Sequence, residues 1–209
     1  MDWKIQAGGF PLPVPTILGS DAAGKVAAVG SDVKNVKVGD RVFFQGKIGD
    51  VNKSTFQQYC IIPEKLVGKT PNSISDDEAG GLSLAAIASV TQLYYDGGLG
   101  FSPAPWEKGG DKTGEGKAVL ILGGSSSVGQ YSIQLARLSG FSTIITNSSA
   151  AHIDNLKKLG ATHVLDRKTA KVDDYVKALG GKPLEGIADS ISEKETQMLA
   201  VEIYKAANA

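Results

Sequence analysis

The run Val119-Leu120-Ile121-Leu122-Gly123-Gly124-Ser125-Ser126-Ser127-Val128-Gly129 carries four apolar residues straight into a turn of glycine and serine, and then into a helical pattern. An unbroken apolar run of this length, stopped by glycine, reads as a strand buried on both faces. The pattern then repeats. Strands over 118–122, 142–146, 163–165 and 186–191 alternate with helices over 128–138, 153–159, 172–179 and 193–207. Parallel strands need crossover connections, so this alternation predicts an α/β fold: a doubly wound parallel sheet, incomplete at about four strands, with helices covering it.

The residues ahead of it read differently. Over 24–66, short apolar runs at 25–29, 41–44 and 55–62 are cut by turn signals such as Gly30-Ser31-Asp32 and Gly39-Asp40, which predicts a small β-rich region. Ser75 followed by Asp76, Asp77 and Glu78 is a helix start, and 82–95 is apolar almost all round, predicting a buried helix. Residues 96–117 hold seven glycines with Pro103 and Pro105, and read as a surface loop or linker. Two domains are expected, 1–83 and 84–209.

Composition removes several classes of function. Lys plus Arg and Asp plus Glu both number 22 in 209 residues, so no basic field exists to attract a phosphate backbone, and no nucleic acid partner is expected. No apolar run approaches the roughly 18 residues that would span a bilayer, so no membrane partner is expected. A single cysteine, Cys60, allows no internal disulfide, and with no apolar leader among the first residues a cytoplasmic location is the expectation.

The glycine-serine turn has the chemistry of a pyrophosphate cradle. Small residues at Gly124, Ser125, Ser126 and Ser127 let the backbone approach phosphates, and the start of the helix at Val128 offers unpaired N–H groups and a positive dipole. Gly129 permits close packing of helix on strand. A literal G-x-G-x-x-G is absent, and a strand-to-helix turn without a ligand is the other reading. The next strand ends in Asn147, Ser148 and Ser149, about 20 residues on, where an NAD-binding chain places a carboxylate for the ribose. A carboxylate would repel a 2′-phosphate, whereas hydroxyls and an amide donate to one. The cofactor expected is therefore NADPH, with Arg167 either adding a charged contact or simply solvated.

These motifs resemble a known family. Gly19-Ser20-Asp21-Ala22-Ala23-Gly24, the segment Val36-Lys37-Val38-Gly39-Asp40-Arg41-Val42-Phe43, the loop Pro105-Trp106-Glu107 and the turn Gly123 to Gly129 are together similar to medium-chain dehydrogenase/reductases. The likeness is to the zinc-independent fungal branch of enoyl reductases and ToxD-like proteins, and to quinone oxidoreductases. It implies part of a GroES-like β-barrel domain followed by a Rossmann-type domain. It also implies transfer of hydride from NADPH to a small-molecule enone, enoyl thioester or quinone, in an enzyme that can be a homo-oligomer.

Zinc users of the superfamily carry a His-Glu pair where Ser20-Asp21 stand here, and the four-cysteine lobe is missing, so no metal is expected. His152 and His163 have no ligand spacing and read as surface or strand-end residues. The resemblance further implies Lys4 as a contact near the nicotinamide, and Ala88, Ser89, Tyr94 and Tyr95 as candidates for the substrate pocket. Tyrosine in an apolar helix also serves as packing. No arrangement nominates a proton donor. Members of the family start with several strands before the equivalent of Asp2 and have six strands in the second sheet, so the resemblance implies a chain truncated at both ends. A non-catalytic nucleotide-binding module, or an inactive remnant, is the alternative to a working enzyme.

Overall fold

The computed structural model describes residues 2–9, 11–12 and 14–209. The chain divides into two compact units, Met1–Leu84 and Ala85–Ala209.

The first unit holds helix α1 (Asp2–Gln6), strands β1 (Asp21–Lys25), β2 (Arg41–Gln45) and β3 (Val67–Lys69), and helix α2 (Asp76–Ala79). The strands form an antiparallel sheet in the order β1-β2-β3, with Ala23 opposite Phe43 and Phe43 opposite Gly68. The Phe43 ring lies over Gly68, where a Cβ would meet it at 2.7 Å and push it aside. As expected, Ser75 caps α2: its hydroxyl accepts the Glu78 N–H while the Glu78 carboxylate accepts the Ser75 N–H at 2.8 Å. Arg41 ties the sheet to this helix through Asp76 at 2.8 Å and the Ile74 carbonyl at 2.8 Å.

Two sequence expectations in this unit need correction. The strand expected at 25–29 lies at Asp21–Lys25 instead. Residues 55–62 form no strand: the Thr55 and Phe56 N–H groups donate to the Gly19 and Leu18 carbonyls, and the polar groups that follow are used locally. Gln57 Nε2 donates to the carbonyls of Val51 and Ser54, and the Ile61 N–H donates to Asn52.

Helix α3 (Ser83–Tyr94) belongs to the second unit from Ala85 onward. It is half-buried rather than buried: Ser89 and Leu93 are enclosed while Ile87 is exposed. Strands β4 (Ala118–Leu122), β5 (Thr143–Ser148), β6 (His163–Asp166) and β7 (Leu184–Asp189) form a fully parallel sheet in the order β6-β5-β4-β7. Helices α4 (Ser127–Leu138), α5 (Ile153–Leu159), α6 (Val172–Ala178) and α7 (Lys194–Ala207) make the crossovers and follow the last strand. Every residue of β4 and β5 is buried. On one face Val119, Ile121 and Ile144 pack with Ile133, Ala136, Leu156 and Leu93; on the other, Leu120, Leu122 and Ile145 pack with Tyr175, Leu179 and Ile203.

Residues 96–117 form a largely exposed loop, as expected, but not a linker: they lie within the second unit, and parts of them pack on its core. Phe101 packs against Phe141 with ring centroids 5.0 Å apart, and Trp106 meets Tyr94 edge-on at 5.2 Å. Glu107 accepts the Ala104 N–H at 2.7 Å and Thr113 donates to the Pro103 carbonyl at 2.6 Å. The glycines let this segment fold tightly onto the core; a Cβ at Gly114 would collide with the Phe141 ring.

Candidate functional site

The glycine-serine turn sits at the carboxyl end of β4, with β5 on one side and β7 on the other. In this sheet the chain leaves β4 toward β5 and β6 and only later returns to place β7 on the opposite flank. That is the switch point at which open parallel sheets bind ligands.

Gly123 has a left-handed backbone (φ 77°), which reverses the chain within one residue. Its N–H donates to Asn147 Oδ1 at 2.7 Å, and the Gly124 N–H donates to the Asn147 carbonyl at 3.1 Å. A Cβ at Gly124 would collide with Thr146 Oγ1, and one at Gly129 would collide with the Gly123 carbonyl oxygen and lie 2.8 Å from Gly124 Cα. Both glycines therefore set how closely α4 approaches the sheet. Ser126 caps α4, its hydroxyl accepting the Gly129 N–H at 3.0 Å, and the Gln130 side chain donates to the Ser125 carbonyl at 3.1 Å. The N–H groups of Ser127 and Val128 find no acceptor among the described residues. These are donors that a helix start leaves open, in the positive end of its dipole.

The residues expected around an adenosine 2′-phosphate fall into two groups. Ser149 and Arg167 lie at the ends of β5 and β6, joined through the Arg167 N–H to the Ser148 carbonyl at 3.0 Å, and neither side chain has a partner among the described residues. Ser148 is buried, and its hydroxyl donates to the Ser149 carbonyl at 3.2 Å. Asn147 has another task. Its carboxamide is buried between Gly123 and the Tyr175 hydroxyl, to which Nδ2 donates one of its two N–H groups at 2.9 Å, so it serves the turn from inside the fold.

Two of the expected pocket residues also have other tasks. Ser89 is fully buried, its Oγ 2.9 Å from the Ala85 carbonyl and 2.8 Å from that of Val128, which joins α3 to the start of α4. Tyr94 reaches the far end of α4, with its hydroxyl 3.1 Å from the Leu135 carbonyl and 2.7 Å from Ser139 Oγ. Leu135 lies about 10 Å beyond Val128 along the helix axis, so the Tyr94 hydroxyl is well away from the turn. Ala88 is half-buried on α3, and Tyr95 follows that helix with its ring 65% exposed.

In the first unit, Lys4 is exposed on α1, its ammonium 5.6 Å from the Trp3 ring centroid. Asp21 accepts the Leu84 N–H at 2.6 Å; burial, reinforced by nearby Asp2, pushes its carboxyl above the usual aspartate range. Ser20 beside it is buried and offers only a hydroxyl. Cys60 donates its thiol to the Ser54 carbonyl at 3.2 Å, and burial pushes that thiol above its usual range. Among the described residues no three His, Cys, Asp or Glu side chains are grouped to hold a metal ion. His152 and His163 are exposed, as expected.

Sequence reasoning missed Tyr175 and Ile191. A Cβ on Gly123 would lie 2.5 Å from the Ile191 side chain, so Ile191 covers the turn from the β7 side. Neither residue has a local signal, since each meets the turn only through the sheet.

Comparison with known proteins agrees with this architecture. The alcohol dehydrogenase GroES-like domain family matches residues 1–72, and the zinc-binding dehydrogenase family matches residues 127–207. Dehydrogenase pigH of Monascus ruber is 35% identical over 200 residues, which are 89% of this chain and 52% of that protein. Trans-enoyl reductase himH of Aspergillus japonicus is 36% identical over 200 residues, 94% of this chain and 56% of that protein. Quinone-oxidoreductase QR1 of Triphysaria versicolor is 33% identical over 191 residues, 90% of this chain and 54% of that protein. The chain thus spans about half the length of these relatives. An Escherichia coli quinone oxidoreductase solved with NADPH shares the fold, with TM-score 0.74, 24% identity and coverage of 97% of this chain and 57% of that one. From the paired domain matches, the sheet topology and these relatives together, the chain belongs to the medium-chain dehydrogenase/reductase superfamily.

Proposed function

We propose that this chain carries the cofactor half-site of an NADPH-dependent, zinc-independent oxidoreductase acting on an activated alkene or carbonyl. The observation that carries the reading is the turn itself. Ser127 and Val128 present unpaired N–H groups at the start of α4, Gly124 lets the turn lie close against Thr146, and no carboxylate stands at the end of β5. A pyrophosphate fits those donors. Ser149 and Arg167 would hold the 2′-phosphate, a charged contact contributing about 1.5–3 kcal/mol, or roughly ten- to hundredfold in preference over NADH.

When bound, a nicotinamide dinucleotide supplies hydride, and the protein's part is to bind, orient and exclude water. The substrate class follows the relatives, which include a trans-enoyl reductase and quinone oxidoreductases. Zinc independence is supported by Ser20, whose hydroxyl stands where zinc users of the superfamily carry an imidazole. The test is NADPH oxidation followed at its absorbance band with enones, quinones and enoyl thioesters, in the presence and absence of chelator. Turnover of any of these that chelator leaves unchanged supports the reading; metal-dependent oxidation of a plain secondary alcohol overturns it.

A second reading has its own support. Ser89 and Tyr94 are engaged in packing, so the hydroxyls expected to serve a substrate are already used. A module that binds NADPH without reducing anything is the result if binding is found and every acceptor class fails.

A further inference from the structure

Tyr175 is a buried ionisable residue that meets the site only through the Asn147 carboxamide. It stands on α6, 1% exposed, in the core on the α6 and α7 face of the sheet. Its ring packs against apolar neighbours, yet its hydroxyl has a polar partner: Asn147 Nδ2, at 2.9 Å. The other end of the same carboxamide, Oδ1, takes the Gly123 N–H at 2.7 Å. The three groups form a line running from the core to the first residue of the turn.

The direction of this line is fixed by chemistry. A backbone N–H only donates, so the carboxamide must turn its oxygen to Gly123 and hence its NH₂ to Tyr175. The NH₂ group is then in the core, where a donor without an acceptor is costly. The tyrosine hydroxyl is the acceptor that makes this orientation affordable. Without it Asn147 gains by swinging its amide away, and Gly123 loses the bond that fixes its N–H.

We propose that Tyr175 is a positioning residue for the dinucleotide turn, its hydroxyl holding the Asn147 carboxamide in the orientation that fixes Gly123. The inference rests on the proposed function above and adds to it the cause of the turn's rigidity. Pre-organisation of this kind changes affinity without contact to the ligand, since a loosened turn must be ordered again when phosphate binds.

The experiment compares the wild-type chain with Tyr175→Phe, Asn147→Ser and the double variant. Calorimetric titration with NADPH gives affinity, and amide hydrogen exchange without nucleotide gives the mobility of residues 123–125. Tyr175→Phe keeps the ring, and is expected to weaken NADPH binding about five- to tenfold and to speed exchange at Gly123. Asn147→Ser is expected to do at least as much. The double variant should match Asn147→Ser, because the hydroxyl acts only through the amide. Should Tyr175→Phe fail to fold, exchange at Gly123 in Asn147→Ser decides whether the amide holds the turn, and unchanged exchange there overturns the inference. Wild-type binding with an unchanged Tyr175→Phe affinity and unchanged exchange overturns the inference and leaves the cofactor reading standing. A fall in melting temperature with unchanged affinity makes Tyr175 merely structural, which also overturns it. No binding by the wild-type chain overturns the cofactor reading, and this inference with it.

Discussion

At the scale of single residues, the turn allows binding to be separated from folding. Aspartate caps helices as well as serine does, so Ser126→Asp should preserve α4 and leave the melting temperature close to wild type. The same change places a carboxylate where the phosphates would lie, and NADPH affinity should fall more than tenfold, to the order expected for losing a charge-assisted contact. Melting curves and titration on one preparation check both halves. Arg167→Ala makes a narrower prediction: NADPH affinity should fall about tenfold while NADH affinity stays within error, because only the former carries the 2′-phosphate. Ser126 and Gly129 are legible in the sequence because their partners lie three to six residues away. Asn147 and Tyr175 are 28 residues apart and meet only across the sheet. Ser89 and Tyr94 show the limit from the other side: sequence places a hydroxyl on a helix but does not say which way it faces.

At the scale of elements, β4 gives a direct test of the buried parallel sheet. Leu120 and Ile121 point to opposite faces and both are enclosed. Leu120→Ala and Ile121→Ala should each cost about 2–5 kcal/mol by urea unfolding. In a sheet with one wet face, one of the two would be nearly silent. The first unit offers a pH test at Asp21. Burial raises its carboxyl above the usual aspartate value, so the folded state holds a proton that the unfolded state releases. Stability contributed by this group therefore falls as pH rises from the unfolded value through the folded one, then levels off. Asp21→Asn should be more stable than wild type at neutral pH, with the advantage vanishing in acid, as thermal melts across a pH series would show. Every strand end of the second unit lies within two residues of its expected place, because β4 is an unbroken apolar run and the other strands alternate regularly with helices. In the first unit only β2 lies where expected; β1 is half-buried and contains Asp21, Gly24 and Lys25, a composition that propensity does not favour.

At the scale of the whole molecule, the two units differ in what their sequences disclose. The second repeats one rule, strand then helix, four times, and the order β6-β5-β4-β7 follows once crossovers share one hand. The first is a three-stranded sheet held by turns and by the Arg41 to Asp76 link, and its likeness to a GroES-like domain rests on motifs rather than periodicity. Among the described helices none is long and apolar enough to cross a membrane. The central claim is that the Gly123 to Gly129 turn binds the phosphates of NADPH, and calorimetric titration of the folded 209-residue chain with NADPH and NADH tests it most directly. The account predicts saturable binding of NADPH, about tenfold tighter than NADH and weakened more than tenfold by Ser126→Asp. A folded chain that takes up neither nucleotide, or that binds NADPH equally well after Ser126→Asp, would contradict it.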